Sequence, residues 1–146
     1  ATLCRDAKPV QSHGLRLSQI GRFLALTIDG DDNAVKALAS EVVKQLDQYR
    51  APLTEQEFER RNPQRLSRER RANLLAWGYP HVMEAYQFHA TLTGPLKDPK
   101  LAIAHAAALR FFEPALPVPF PLKHLTLVGQ KADGMFYEIE RLALLG

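Results

Sequence analysis

Two short stretches of this chain carry an imidazole and a hydroxyl at the same spacing. His89-Ala90-Thr91-Leu92-Thr93-Gly94 and His124-Leu125-Thr126-Leu127-Val128-Gly129 share the pattern H-x-T-L-x-G. Both lie in runs that alternate as strands do, and side chains two apart on a strand face the same way. Each copy therefore sets a His beside a Thr. Imidazole titrates near neutral pH, so one His can take a proton while another gives one. A hydroxyl beside each can hold a phosphoryl oxygen. With His89 and His124 across one cleft, flanked by Thr91 and Thr126, one imidazole would deprotonate the attacking water or hydroxyl. The other would protonate the leaving oxygen. That is phosphodiester chemistry without a metal or any other cofactor.

Metal binding is the rival use of these histidines. No H-x-x-x-H or H-E-x-x-H pattern is present, and Asp and Glu do not gather around either motif. The other rival is structural, because Thr favours strands and a strand His is commonly a hydrogen-bonded core residue. A single H-x-T would favour that reading; a pattern repeated over six residues favours function. His13 in a loop, His81 after Pro80 and His105 in an Ala-rich helix are weaker candidates. Arg60, Arg61, Arg65, Arg68, Arg70 and Arg71 crowd a helix break. Such a run reads as a solvated face balanced by Glu57, Glu59 and Glu69 rather than as an anion rim. Trp77 reads as a core anchor.

The bulk properties fit that chemistry. A chain of 146 residues is long enough for one domain with its own core. A net charge of +3 suits a phosphate-bearing substrate and is too small to argue for duplex DNA. Cys4 is the only cysteine, so no internal disulfide can form. No apolar run approaches the ~20 residues of a membrane span. The first residues lack a signal-peptide layout. A cytoplasmic location is the expectation, without a membrane partner.

The elements that must position the motifs follow from pattern. Residues 5–14 read as loop. Residues 15–28 alternate as two strand segments with a bend at Gly21. Val35, Leu38, Val42, Val43 and Leu46 recur at helical spacing, predicting a helix over 33–49. Thr54 and Glu57 form a capping box for a second helix. Asn62-Pro63 breaks it, and Ser67 caps a third helix that Gly78 stops. Pro80 opens a short helical turn to Ala85. Tyr86–Thr93 is the first motif strand. Asp98 caps a helix over 99–112 with Pro99 at its first position. Pro114, Pro117, Pro119 and Pro121 make an extended connector. Residues 122–130 form the second motif strand, the Asp133-Gly134 turn follows, and residues 135–144 return. The order predicts an α+β class with mainly antiparallel sheet.

The residues also resemble a known family. Phe88–Gly94 looks like an active-site strand of the two-histidine (2H) phosphoesterases, which include RNA ligase-like proteins and cyclic phosphodiesterases. Gly21–Leu26, Tyr49–Thr54, Trp77–Pro80 and Phe88–Gly94, in this order, resemble the branch encoded in phosphonate-utilisation operons. The resemblance covers the chain from about Leu15 onward. It implies a pseudo-two-fold, two-lobed fold of mainly antiparallel sheets flanked by helices, each lobe giving one H-x-T strand to a central cleft.

His89 and Thr91 match the second family motif. The first should lie well upstream, where the chain offers only Ala1-Thr2-Leu3, the look of a His-Ala-Thr-Leu tail without its His. The helix expected between that strand and Leu15 is missing. Residues 1–146 are thus expected to be a single 2H-like domain, incomplete in its N-terminal lobe. The second catalytic residue is either His124, with Thr126, or a His upstream of residue 1. Thr2, Arg22 and Tyr86 are the candidate substrate contacts.

Three functions stand at this point. The first is hydrolysis of a cyclic phosphate of a ribose, nucleotide or RNA end. The second is a non-catalytic nucleotide- or RNA-binding module of the same fold. The third is a structural fragment whose missing lobe comes from another chain.

Overall fold

The computed structural model describes residues 2–146. It is α+β, with antiparallel strand pairs and helices, in two compact units. One comprises the residues up to Gln11 together with Pro121–Gly146; the other is Ser12–Phe120.

In the first unit, β6 (His124–Gln130) and β7 (Phe136–Ala143) form an antiparallel hairpin. The Asp-Gly signal does what was expected of it. Gly134 takes φ +87°, the Asp133 carboxylate accepts from the Met135 amide at 2.9 Å, and the Lys131 amide reaches the Met135 carbonyl at 2.9 Å. A bulge interrupts the ladder, since Leu127 faces Glu140 while Val128 faces Glu138. A short helix α1 (Thr2–Asp6) docks on the chain after β7. The Leu145 amide donates to the Cys4 carbonyl at 2.9 Å, and Leu3, Cys4 and Leu144 are buried.

Helix α1 corrects two expectations. Thr2 and Leu3 are helical, not the tail of a strand, and a helix does precede Leu15; Ala1 lies outside the described residues. The stretch 5–14 is likewise not all loop, because β1 (Val10–Ser12) pairs with β5 (Phe120–Leu122), which itself interrupts the proline connector.

The second unit is built on a three-stranded antiparallel sheet, β2 (Gly14–Ile20), β3 (Phe23–Asp29) and β4 (His89–Thr91), in that order. The expected bend at Gly21 is a two-residue hairpin loop whose first position, Gly21, has φ +58°. Partners across an antiparallel ladder share a face. One face carries Leu15, Leu17, Leu24, Leu26, Ile28 and Ala90; the other carries Arg16, Ser18, Ala25, Thr27, His89 and Thr91. The apolar face supplies the buried Leu24, Leu26 and Ile28; the polar face supplies the motif.

Helices α2 (Asn33–Leu46), α3 (Glu55–Arg60), α4 (Arg68–Trp77) and α5 (Lys100–Phe112) complete this unit. The capping box at α3 is formed in both directions: Thr54 Oγ1 accepts from the Glu57 amide at 3.2 Å, and the Glu57 carboxylate accepts from the Thr54 amide at 3.0 Å. Ser67 accepts from the Arg70 amide, and Gly78 ends α4 at φ +72°. Val35, Leu74, Val82 and Leu101 bring α2, α4, the loop after it and α5 into the core.

Three boundaries differ from expectation. Strand β4 is three residues long, because beyond Thr91 the chain leaves regular pairing: the Leu92 and Thr93 amides both turn to the Leu24 carbonyl, at 2.8 and 3.4 Å. The turn of helix after Pro80 begins only at Met83, since Val82 is extended at ψ 176°. At α5, Pro99 occupies the N-cap and the Asp98 side chain makes no capping bond. No described helix is long and apolar enough to cross a membrane.

Candidate active site

The chemistry-bearing strand of the second unit is the edge strand β4, held along β3. Thr27 pairs with His89 and Ala25 with Thr91. The irregular segment beyond β4 is pinned by the Leu24 amide, which donates to Thr93 Oγ1 at 3.1 Å. Alternation puts the exposed His89 and Thr91 side by side on the polar face. Beside them, the Ser18 and Thr27 hydroxyls bond to each other at 2.6 Å.

His89 has a defined tautomer. Its Nδ1 lies 2.8 Å from the Gln87 carbonyl oxygen. A carbonyl can only accept, so Nδ1 is the donor here, and Nε2 is the nitrogen left to exchange a proton. Phe23 packs 6.2 Å from the ring, centroid to centroid. An oriented base with a neighbouring hydroxyl is what proton abstraction near a phosphoryl group requires.

A second group lies within electrostatic reach of His89. His81 is exposed over much of its surface, yet its pKa is pushed below the ordinary imidazole value. Loss of surrounding water is the first cause, followed by the positive charges of Arg70 and Arg61 and by His89. The Tyr79 ring stands 5.7 Å from His81, and the Arg61 guanidinium lies over Tyr79 at 4.6 Å. Arg61 Nε is buried with no hydrogen-bond partner. By sequence His81 is a weaker candidate and the arginine run is a solvated face. For Arg61 that is corrected, since it is half-buried and stacked. The available signal was Tyr79-Pro80-His81 directly after a helix-stopping glycine, which gives no hint of the arginine it meets.

His124 and Thr126 lie in the other unit, on β6, opposite Ala143 and Arg141. They share a face of the hairpin and both are exposed. Arg141 is itself engaged by Glu138 at 2.7 Å. Thr2 is exposed on α1. Arg22 is exposed in the β2–β3 loop. Its Nε donates to the Leu96 carbonyl at 3.4 Å, and it lines an open cavity of about 400 Å³ with Lys97, Asp98 and Lys100. Tyr86 is half-buried, and burial raises its hydroxyl pKa, keeping it a neutral donor. Of the weaker histidines, His13 pairs with Asp29 at 3.1 Å and His105 lies on α5. Among the described residues, no three His, Cys, Asp or Glu side chains gather as metal ligands would.

Comparison with known proteins adds a relative and a family. Ribose 1,5-bisphosphate phosphokinase PhnN of Janthinobacterium sp. (strain Marseille) is 33% identical over 148 residues, covering 98% of this chain and 33% of the relative. The chain thus spans about a third of that protein's length. No solved structure matches it. A family model described as "Protein of unknown function (DUF1045)" matches residues 1–137, and the chain belongs to that family.

Proposed function

We propose that this chain is a two-histidine phosphodiesterase of pseudo-two-fold fold, hydrolysing a cyclic phosphate of a ribose, nucleotide or RNA end without a cofactor. The observation that carries the reading is the exposed His89 ring, held by the Gln87 carbonyl through Nδ1, beside the exposed Thr91 hydroxyl on one face of edge strand β4. His89 Nε2 removes the proton from the attacking water. The water oxygen bonds to phosphorus, the bond from phosphorus to one ribose oxygen breaks, and that oxygen takes a proton from a second acid. The product is a phosphate monoester with a free hydroxyl. Thr91 donates to a phosphoryl oxygen as charge builds. His124, with Thr126 beside it, is the candidate for the second acid within the chain.

The resemblance to the phosphonate-operon branch supports a ribosyl phosphate as substrate, as does the name of the PhnN relative. That name also specifies a kinase. A phosphate-cradling G-x-x-x-x-G-K-[S/T] loop is not found in this sequence: Gly129 and Gly134 have the spacing, but Met135-Phe136 follow. The hydrolase reading therefore rests on this chain's own residues.

The test is hydrolysis of 2′,3′-cyclic nucleotides and of ribose cyclic phosphates, followed by phosphorus NMR with and without chelator. Turnover that survives chelator and is lost in His89→Ala supports the proposal. Binding of these compounds without turnover would make the chain a binding module instead.

A further inference from the structure

The basic cluster that His89 feels makes no ion pair among the described residues. Arg61 is the C-cap of α3, and its guanidinium carbon lies over the Tyr79 ring, 4.6 Å from the centroid. The Tyr79 ring in turn packs against His81, tilted at 60° with centroids 5.7 Å apart. The Asn73 side chain donates to the Val82 carbonyl at 3.0 Å, which lays the His81–Val82 segment along α4. Arg70 is one helical turn before Asn73 on the same face. Among the described residues, neither Arg61 nor Arg70 makes an ion pair. Glu57, which feels the charges of both Arg60 and Arg61, is turned back to the Thr54 amide and hydroxyl and pairs with neither arginine.

Arg61, Arg70 and the His81 imidazole repel one another and none is ion-paired among the described residues, so an anion held between them would relieve that repulsion. Stacking has already ordered Arg61 and has taken Nε out of water. Its terminal amines keep the planar fork that matches a phosphate.

We infer that Arg61, Arg70 and His81, braced by Tyr79, form a second anion site that takes a phosphate monoester dianion, the non-reacting phosphate of a doubly phosphorylated substrate. The site itself stands apart from catalysis. Its role as a substrate subsite rests on the hydrolase reading above.

The experiment titrates inorganic phosphate into the whole chain at constant ionic strength and follows the His81 and His89 imidazole resonances by NMR. Saturable movement of His81 is expected, with its pKa rising as the dianion binds. Arg70→Gln, at an exposed position, is expected to weaken phosphate binding roughly tenfold, the weight of one charge-assisted hydrogen bond. Arg61→Lys, which keeps the charge but not the fork, is expected to weaken it as well. His89→Ala is expected to leave it within about twofold. Chloride moving His81 equally, or phosphate affinity unchanged in Arg70→Gln, would overturn the site. Phosphate binding that persists where no cyclic phosphate is turned over sinks the hydrolase reading and leaves the site standing. The converse pattern sinks the site alone.

Discussion

Gly129 of β6 lies directly beneath the Tyr137 ring of β7. A Cβ at Gly129 would overlap ring carbon Cζ and the hydroxyl, whereas a Cβ at Gly94 would meet nothing within 4 Å. These glycines end the two H-x-T-L-x-G copies, so the copies are not structurally equivalent. One is a cross-strand close approach in a long hairpin. The other follows a three-residue edge strand. Gly129→Ala is expected to cost about 1 kcal/mol, since Tyr137, 48% exposed, can swing aside and leave the hairpin uncovered. Gly94→Ala is expected to stay within about 0.5 kcal/mol. Denaturant unfolding of the two variants checks the contrast; equal effects would restore the equivalence of the repeats.

The proton roles can be separated by substitution. His89→Ala should lower kcat by about a hundred- to ten-thousand-fold, the usual weight of a positioned acid or base. Thr91→Val should lower it less, since it removes one hydrogen bond to a charged oxygen. His124→Ala decides the second position: a loss comparable to His89→Ala makes it the acid, and unchanged turnover removes it. Circular dichroism of each variant guards against loss of fold.

The positioning strand depends on one core residue. Leu24 is fully buried, its carbonyl receives the Leu92 amide, and its amide binds Thr93. Leu24→Ala should cost about 2–5 kcal/mol, as buried leucine truncations do. It should also loosen β4, so that hydrogen exchange at Ala90–Leu92 rises more than at α2. Uniform acceleration across the unit would show that Leu24 supports the core alone.

What could be read beforehand is what local chemistry dictates. The Thr54–Glu57 box, the Ser67 cap, the Gly78 stop and the Gly21 and Asp133-Gly134 turns each satisfy backbone groups within a few residues, and each formed as expected. The misreadings needed distant partners. Helix α1 is held by amides from the far end of the chain. Strand β1 exists because β5 pairs with it. Strand β4 is cut short because Leu92 and Thr93 share one carbonyl of β3. At the site, the His–Thr pairing of each motif followed from alternation alone. The Arg61–Tyr79–His81 cluster did not, since it joins the end of one helix to the loop after the next.

That cluster carries a pH dependence. Folding lowers the His81 pKa, so the folded chain resists a proton that the unfolded chain, with an ordinary imidazole near 6.5, accepts. Above that value both states are neutral there and His81 costs nothing. As pH falls from about 6.5 toward the depressed folded value, the unfolded state gains protons first and stability declines. Glu57 acts in the same direction in a lower window. The Thr54 hydrogen bonds depress its pKa, so the stability it lends is present above the ordinary carboxyl range and lost below it. A Tm series from pH 7.5 to 5 should therefore slope downward, and His81→Gln should flatten it while leaving the further fall below pH 5 intact. An unaltered slope in His81→Gln would assign that proton to another group. Saturating phosphate should also flatten the wild-type slope in part, because an anion on Arg61 and Arg70 offsets the share of the His81 depression that their charges add to desolvation.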